Sequence, residues 1–365
     1  MAVQLDILPI GEWLPSGGKP VIVAGPCSAE SEEQVLLTAR QLAADPRVKI
    51  FRSGIWKPRT RPNLFEGVGS AGLEWLGKVR QETGLMTTVE VANPVHVESA
   101  LRAGVDILWI GARTVVNPFS IEELAQALSG VDMPVMIKNP VNPDLELWIG
   151  ALERINAAGI RRLIAVHRGF SHYDRSPYRN NPMWEIPIEL KRQVPQLPLL
   201  CDPSHICGGR KDLLLPVAQK ALDLDMNGLM VEVHHNPARA LTDKQQQITP
   251  GQFETLLTNV VFRKGRGDSS FGRSIERLRA EIDRLDLDLI GTLASRMKLV
   301  DEIGNFKRDH NVTILQIERW SDIVNERLKT GETTGLEREF LQKIFEAIHN
   351  ESIRRQSDIL NPPEE

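Results

Sequence analysis

The chain has 365 residues, with 44 basic side chains against 48 acidic ones and a net charge of −4. That length exceeds one ordinary domain, although an α/β barrel alone takes about 250 residues, so two domains are expected. The near-balance of charge points away from nucleic acid or an anionic membrane surface as the main partner, and leaves room for a small anionic ligand.

The N-terminal "MAVQLDILPIGEWLPSGG" has no basic leader ahead of an apolar core, and no run of about 18 apolar residues follows anywhere. Cys27, Cys201 and Cys207 are an odd number and argue against a disulfide framework. The protein therefore reads as cytoplasmic.

From residue 20 to 262, short β-rich runs alternate with amphipathic helical stretches. The runs are "VIVAGPCS" (21–28), "IFRSGIWK" (50–57), "LMTTVEV" (85–91), "ILWIGA" (107–112), "PVMIKNP" (134–140), "RLIAVHRG" (162–169), "PLLCDPSH" (198–205) and "GLMVEVH" (228–234). Eight β-α units over this span predict a (β/α)8 TIM barrel, with a doubly wound open sheet as the runner-up. "GVGSAG" (67–72) matches the dinucleotide-binding glycine pattern only formally, because "RPNLFE" rather than a strand precedes it, and it reads as a loop.

The runs are apolar early and end in reactive side chains: Cys27, then Arg52 and Lys57, Glu90, Arg113, Lys138, Arg168, His205, and Glu232 with His234. In a barrel all eight strand ends open onto one mouth, where such folds keep their active sites. Arg52, Lys57, Arg113, Lys138 and Arg168, with Arg59 close behind, concentrate positive charge there and call for phosphate or carboxylate ligands. Cys27, His205, Glu232 and Asp243 offer one sulfur, one nitrogen and two carboxylates, a donor set for a borderline divalent metal ion: Mn²⁺ first, with Fe²⁺, Co²⁺ or Zn²⁺ as alternatives. Cys201 and Cys207 read as small buried apolar groups. The segment "FSHYDRSPYRNNPMW" (170–184) reads either as a cover over the mouth or as a polar crossover.

"FRKGRGDSSFG" (262–272) looks like a linker, and no strand-like run follows it. Ile275, Leu278, Ile282, Leu285, Leu289, Leu293, Met297, Val300 and Ile303 recur at spacings of three or four and predict one helix of roughly 35 residues. Two more helices are expected near 315–330 and 336–360. The expected domains are 1–262, a linker at 263–272, a helical domain at 273–360 and a tail at 361–365. From Asp268 onward 15 basic residues face 20 acidic ones. A helix so long has more apolar stripe than two short partners cover, which an intertwined dimer would resolve. Arg279, Arg296 and Lys307 fall at near-whole turns on it, and the cations set among apolar positions call for a dianionic ligand.

"GPCS" (25–28), "KPRT" (57–60), "GART" (111–114), "KNP" (138–140), "DPSH" (202–205) and "VEVH" (231–234) resemble, in order, the motifs of type Iβ 3-deoxy-D-arabino-heptulosonate 7-phosphate (DAHP) synthases. The resemblance implies condensation of phosphoenolpyruvate with erythrose 4-phosphate at a divalent metal held by Cys27, His205, Glu232 and Asp243. It further implies that Arg52, Lys57, Arg113, Lys138 and Arg168 hold phosphoenolpyruvate, with Lys57 as an acid, and that Arg59 and Thr60 hold the sugar phosphate. Glu90 is a candidate for handling the water proton.

The segment 274–358 is similar to the all-helical chorismate mutases through "LRAEIDRLD" (278–286), "ASRM" (294–297), "GNFK" (304–307), "QIERW" (316–320) and "ESIRRQ" (351–356). The resemblance implies that Arg296, Lys307, Arg319, Ser352 and Gln356 of one chain, with Arg279 of a dimer partner, surround chorismate. Lys307 and Gln356 would be the catalytic donors. Trp320 and Gln316 stand where some family members carry acidic residues. The expected effector is prephenate or chorismate, acting through the helical domain on the barrel. The alternatives are a monofunctional synthase whose helical domain only senses or dimerises, and, for residues 20–262, a different metal-dependent aldolase.

Overall fold

Strand-forming runs rich in Val, Ile and Leu occupy every expected β position. The computed structural model describes residues 3–14, 20–57, 64–173, 176–263, 269–314 and 326–361. Arg59, Thr60, Gln316, Arg319 and Trp320 lie outside the described residues.

The strands are β1 (Val21–Gly25), β2 (Val48–Arg52), β3 (Met86–Val91), β4 (Ile107–Ile110), β5 (Val135–Lys138), β6 (Leu163–His167), β7 (Leu199–Cys201) and β8 (Gly228–Glu232). All eight pair in parallel in sequence order, and β8 returns to β1 with Val21 opposite Gly228 and Gly25 opposite Glu232. That closure excludes the open sheet.

A short helix, α1 (Ile10–Trp13), precedes β1. The strands are then joined by α2 (Glu32–Ala43), α3 (Ala71–Thr83), α4 (Pro94–Arg102), α5 (Ala112–Val115), α6 (Pro118–Leu128), α7 (Leu145–Ala157), α8 (Glu185–Gln193), α9 (Pro203–Cys207) and α10 (Leu214–Asp223), and α11 (Pro250–Asn259) follows β8. Side-chain caps start many of them: Ser31, Asn93, Asn117, Asp144, Asp202 and Thr249 each accept from a backbone N–H in the first turn. The first four residues of "GVGSAG" form the turn that leads into α3, and its last two open the helix.

Period-two alternation divides the apolar residues into two cores. Val21, Val23, Ile50, Trp109, Met136, Ile164, Val166, Leu200 and Met230 fill the barrel interior, and Ile10 and Leu14 join them. Ile22, Ala24, Phe51, Val89, Leu108, Ile137 and Val231 belong instead to the layer between sheet and helices. The interior is thus plugged with side chains, and chemistry is confined to the ends of the strands.

The chain divides into two compact units, Met1–Gly265 and Arg266–Glu365. In the second, α12 (Ser269–Asp309) runs for 41 residues and α13 (Arg338–Leu360) for 23. Two expectations need correction: α12 begins inside the stretch 263–272 read as a linker, and it is longer than the apolar periodicity announced, because that periodicity runs only from Ile275 to Ile303. Residues 326–333 are helical as well.

At Gly304 an added Cβ would lie 2.9 Å from Ile359 Cδ1, so the glycine lets α12 and α13 approach closely. Arg355 Nη1 pairs with Asp301 Oδ2 across them at 2.8 Å. Among the described residues, no helix is long and apolar enough to cross a membrane.

Candidate active sites

The strand ends converge as the alternation requires. Cys27, Glu232 and Asp243 place one donor atom each within 4.8 Å of one another. Cys27 Sγ stands 3.2 Å from Asp243 Oδ2. His205 lies at the edge of this set, its Nε2 3.8 Å from Glu232 Oε1. The "DPSH" motif explains that placement. Asp202 caps α9 by accepting from His205 N at 3.1 Å, and Pro203 opens the helix, so His205 projects from its first turn.

The second Asp202 oxygen then binds Lys138 Nζ at 2.9 Å and stands 2.8 Å from His205 Nδ1. Nδ1 approaches that oxygen without hydrogen-bond geometry, and Nε2 lies on the Glu232 side of the ring. Asp243 itself sits at φ +43°, a left-handed conformation that a non-glycine residue adopts at a cost. Its carbonyl accepts from Gln246 N at 2.9 Å, which holds the turn closed.

Cations line the same mouth. Arg52, fully buried, donates to Glu232 Oε1 at 3.1 Å and stacks 5.0 Å from the Trp109 ring. Lys57 Nζ donates to Cys27 O at 2.8 Å and approaches Cys27 Sγ at 3.2 Å. Lys138 is buried, Arg168 half-buried and Arg113 exposed. Arg113, in α5, reaches the others through its charge, which acts on Arg168.

Glu90 packs against the start of α5, where a Cβ on Gly111 would meet its Oε1 at 2.0 Å. A larger residue there would displace the Glu90 carboxylate.

Electrostatics follow from this crowding. Burial, then Glu232 and Asp243, push the Cys27 thiol up to about 12, against the pull of Lys57 and Arg52. Burial opposes the charge on Lys57, but Cys27, Glu90 and Glu232 more than offset it and hold the amine above its ordinary value. Burial lowers Arg168 to about 10, helped by Arg179 and Arg113 against Asp202. His205 is held below its ordinary value by burial and Lys138, although Asp202 opposes this.

The Asp202 and Glu232 carboxyls lie below the usual carboxylate range. Burial works against this, but His205 with Lys138 (for Asp202) and His205 with Arg52 (for Glu232) prevail.

Because the folded chain binds these two protons less tightly than the unfolded chain does, their stabilisation is complete above the unfolded values of 3.8 and 4.5 and is lost as pH falls through the lower folded ones. The unfolding midpoint of the metal-free protein is therefore expected to drop below about pH 4.5. Asp202→Asn should cost about 3–5 kcal/mol near neutrality, because it strips the counter-charge from Lys138 and Arg52, and should flatten the acid limb. An acid limb as steep in Asp202→Asn as in the parent would contradict this origin.

One sulfur, one imidazole and two carboxylates fit a borderline divalent ion by donor chemistry. A thiol packed against two carboxylates has either to keep its proton or to face a strong cation. Cys201 and Cys207 are buried in the outer apolar layer and are not among these donors.

Arg179, Gln246 and Gln247 also belong to the site, and no sequence motif marks them. Gln247 Oε1 accepts from Cys27 N at 2.9 Å and its Nε2 donates to Thr242 O at 2.9 Å, which ties the first strand end to the last loop. The available signal is the glutamine run 245–247 in "TDKQQQ" (242–247), two residues beyond Asp243.

Of the segment 170–184, residues 170–173 and 176–184 are described, and Arg179 brings it to the site. Phe170 and Asn181 bridge its ends, and Arg179 N and Asn180 N both donate to Ile206 O, at 2.9 and 3.2 Å. Tyr173 is exposed, whereas Tyr178 packs on the outer apolar layer.

In the helical unit, Arg296 Nη1 donates to Ser352 Oγ at 2.7 Å, and Gln356 lies buried one turn further along α13. Lys307 Nζ donates to Ile314 O. Burial and the nearby charge of Arg327, a cation that no motif marks, hold Arg296 below its ordinary value. Arg279 is exposed. It precedes Arg296 by 17 positions, about 25 Å along a helix, so its side chain does not reach the Arg296 cluster of its own chain.

Two family models match the sequence: residues 12–263 match the DAHP synthetase I family, and residues 278–357 match chorismate mutase type II. The chain belongs to the DAHP synthetase I family. It carries a DAHP synthase domain, a transferase, followed by a chorismate mutase domain, an isomerase.

A phospho-2-dehydro-3-deoxyheptonate aldolase of Thermotoga maritima is 31% identical over 251 residues, covering 69% of this chain and 72% of that protein. A 2-dehydro-3-deoxyphosphooctonate aldolase of Syntrophotalea carbinolica is 26% identical over 278 residues, covering 70% and 95%. The crystal structure of the Thermotoga DAHP synthase superposes with a TM-score of 0.59 at 31% identity, covering 66% of this chain and 68% of that one. A truncated form of the Thermotoga enzyme gives 0.57 at 29% identity, covering 66% and 85%.

Proposed function

We propose that the barrel condenses phosphoenolpyruvate with erythrose 4-phosphate, releasing phosphate, and that the helical domain rearranges chorismate to prephenate. The observation that carries the first reading is the set of Cys27, Glu232 and Asp243, edged by His205 and ringed by cations at one barrel mouth. When bound there, a divalent ion supplies Lewis acidity toward an aldehyde oxygen.

Arg52, Lys57, Lys138, Arg168 and Arg113 hold the carboxylate and phosphate of phosphoenolpyruvate by charge-assisted hydrogen bonds. The enol carbon attacks the aldehyde carbon, and Lys57, held protonated, gives its proton to the oxygen that becomes the new hydroxyl. Water adds to the cation left at C2, and the C–O bond to phosphate then breaks as the C2 hydroxyl becomes the carbonyl and its proton leaves with the phosphate. Glu90, whose charge acts on Arg52, Lys57 and Lys138, takes the water proton. Arg59 and Thr60 are assigned to the phosphate of the sugar.

A heptonate product requires a four-carbon acceptor for the three carbons of phosphoenolpyruvate, and an octonate a five-carbon one. The family match and the 31% identical heptonate aldolase favour four.

For the helical domain, Arg296, Ser352 and Gln356 sit together, and among the described residues the charge that acts on Arg296 is another cation, Arg327. The rearrangement is unimolecular, so the protein holds the reactive conformer and Lys307 and Gln356 donate to the ether oxygen as its bond breaks. Leu278, Ile282, Leu285, Leu289, Ile290 and Ile303 are all more than two-fifths exposed on α12, an apolar stripe that supports a homodimer through this unit. A chorismate or prephenate molecule bound there acts as feedback inhibitor of the barrel. Three free cysteines, all buried, support a reducing, cytoplasmic setting.

Assays of phosphoenolpyruvate loss with erythrose 4-phosphate, and of chorismate loss, test both readings on one sample. The first rate is expected to vanish on chelation, to return with Mn²⁺ and to fall when prephenate is added, while the second ignores the chelator. Turnover only with a five-carbon aldose phosphate would overturn the acceptor assignment. Persistence of chorismate would leave the helical domain as a sensor or dimerisation module.

A further inference from the structure

Arg179 reaches the donor cluster from the crossing segment that follows β6. Its Nη1 donates to Asp243 Oδ1 at 2.9 Å and to Gln246 Oε1 at 2.6 Å. A guanidinium only donates and a carboxylate only accepts, so the Gln246 amide has one orientation open to it. Its Nε2 faces Glu232 Oε2 at 2.6 Å. One arginine thereby fixes Asp243 directly and Glu232 through a single amide. The oxygens that Arg179 and Gln246 do not engage are Asp243 Oδ2, 3.2 Å from Cys27 Sγ, and Glu232 Oε1, which accepts from Arg52 Nη2 at 3.1 Å and lies 3.8 Å from His205 Nε2.

The same segment also holds the third element of the site, because Asn180 Nδ2 donates to His205 O at 2.6 Å. Gly208 provides the clearance. At φ +60° it takes the backbone past Arg179, and a Cβ there would lie 2.7 Å from Arg179 Cβ. The glycine after Cys207 thus serves the arginine rather than the cysteine.

We propose that Arg179 and Gln246 are positioning residues that select which carboxylate oxygens of Asp243 and Glu232 face the metal ion. The inference rests on the metal reading above. Ligating carboxylates are commonly aimed by hydrogen bonds of this kind, and loss of such a partner costs about 10–100-fold in metal affinity.

Gln246→Leu and Arg179→Lys both keep the net charge, so the attraction for a dication is retained and only orientation is lost. The full-length chain would be titrated with Co²⁺, reading its visible absorption bands and its dissociation constant, alongside the melting midpoint of the metal-free protein. Both variants are expected to bind Co²⁺ about 10–100-fold more weakly with shifted bands, while melting as the parent does. The double variant should fall short of the product of the two, because the residues act in one chain of hydrogen bonds.

Parent-like affinity and spectrum in both variants would overturn the inference and leave the metal reading intact. If the parent chain binds no Co²⁺, the metal reading falls and this inference with it. Should Arg179→Lys fold poorly, Gln246→Leu decides alone, since it replaces the amide with an apolar group of similar size.

Discussion

Cys27→Ala is expected to lower the rate of phosphoenolpyruvate consumption by about 10²–10⁴-fold, the equivalent of several kcal/mol of transition-state stabilisation. The thiol is the one soft donor of the cluster, and its sulfur lies 3.2 Å from both Asp243 Oδ2 and Lys57 Nζ. Removing it leaves Glu232 and Asp243 to hold a dication with only the imidazole of His205 in support. The substitution deletes a single buried sulfur, so the barrel should stay folded. Chorismate loss, which uses none of these residues, serves as the internal control on the same sample. Metal content would be measured together with both rates. A Cys27→Ala protein that keeps a tenth or more of the parent's metal-supported rate would remove Cys27 from the ligand set.

The barrel was legible because each strand repeats one device, an apolar run that ends in a reactive side chain, and strand closure brings eight such ends together. "DPSH" was legible for a similar reason: cap, proline and histidine lie within one helical turn, so local helix geometry places His205. Arg179 was not legible, because its value depends on reaching 64 positions along the chain to Asp243, and a polar crossover contains arginines for many reasons. Gln246 was obscured likewise: nothing in a run of glutamines distinguishes the one that faces Glu232 from the one that holds Cys27 N. In the helical domain, the spacing of apolar positions marked one apolar face of α12, much of it exposed in the single chain, but not its start at Ser269, since helix ends are set by capping and solvation rather than by the core.

The largest expected effect in the helical domain follows from the distance between Arg279 and Arg296. Arg279→Ala and Arg296→Ala should each lower kcat/KM for chorismate by about 10²–10³-fold, the usual loss when a fixed donor to developing or bound negative charge is removed. If each site draws Arg296 from one protomer and Arg279 from its partner, the two inactive variants complement each other. In a mixed dimer, one site combines the intact Arg296 of the first variant with the intact Arg279 of the second, and the other site lacks both. Random pairing of equal amounts makes half of the dimers mixed, so about a quarter of the parental mutase activity should return after co-expression or co-refolding. The exposed stripe of Leu278, Ile282, Leu285 and Leu289 flanks Arg279 on α12, which places the arginine beside the surface that a partner would cover. Synthase activity, carried by the barrel, should remain at the parental level in every sample and reports that the chains are folded. Mutase activity in the mixture no higher than in either variant alone would mean that both arginines act within one protomer or that the exposed face pairs in another register.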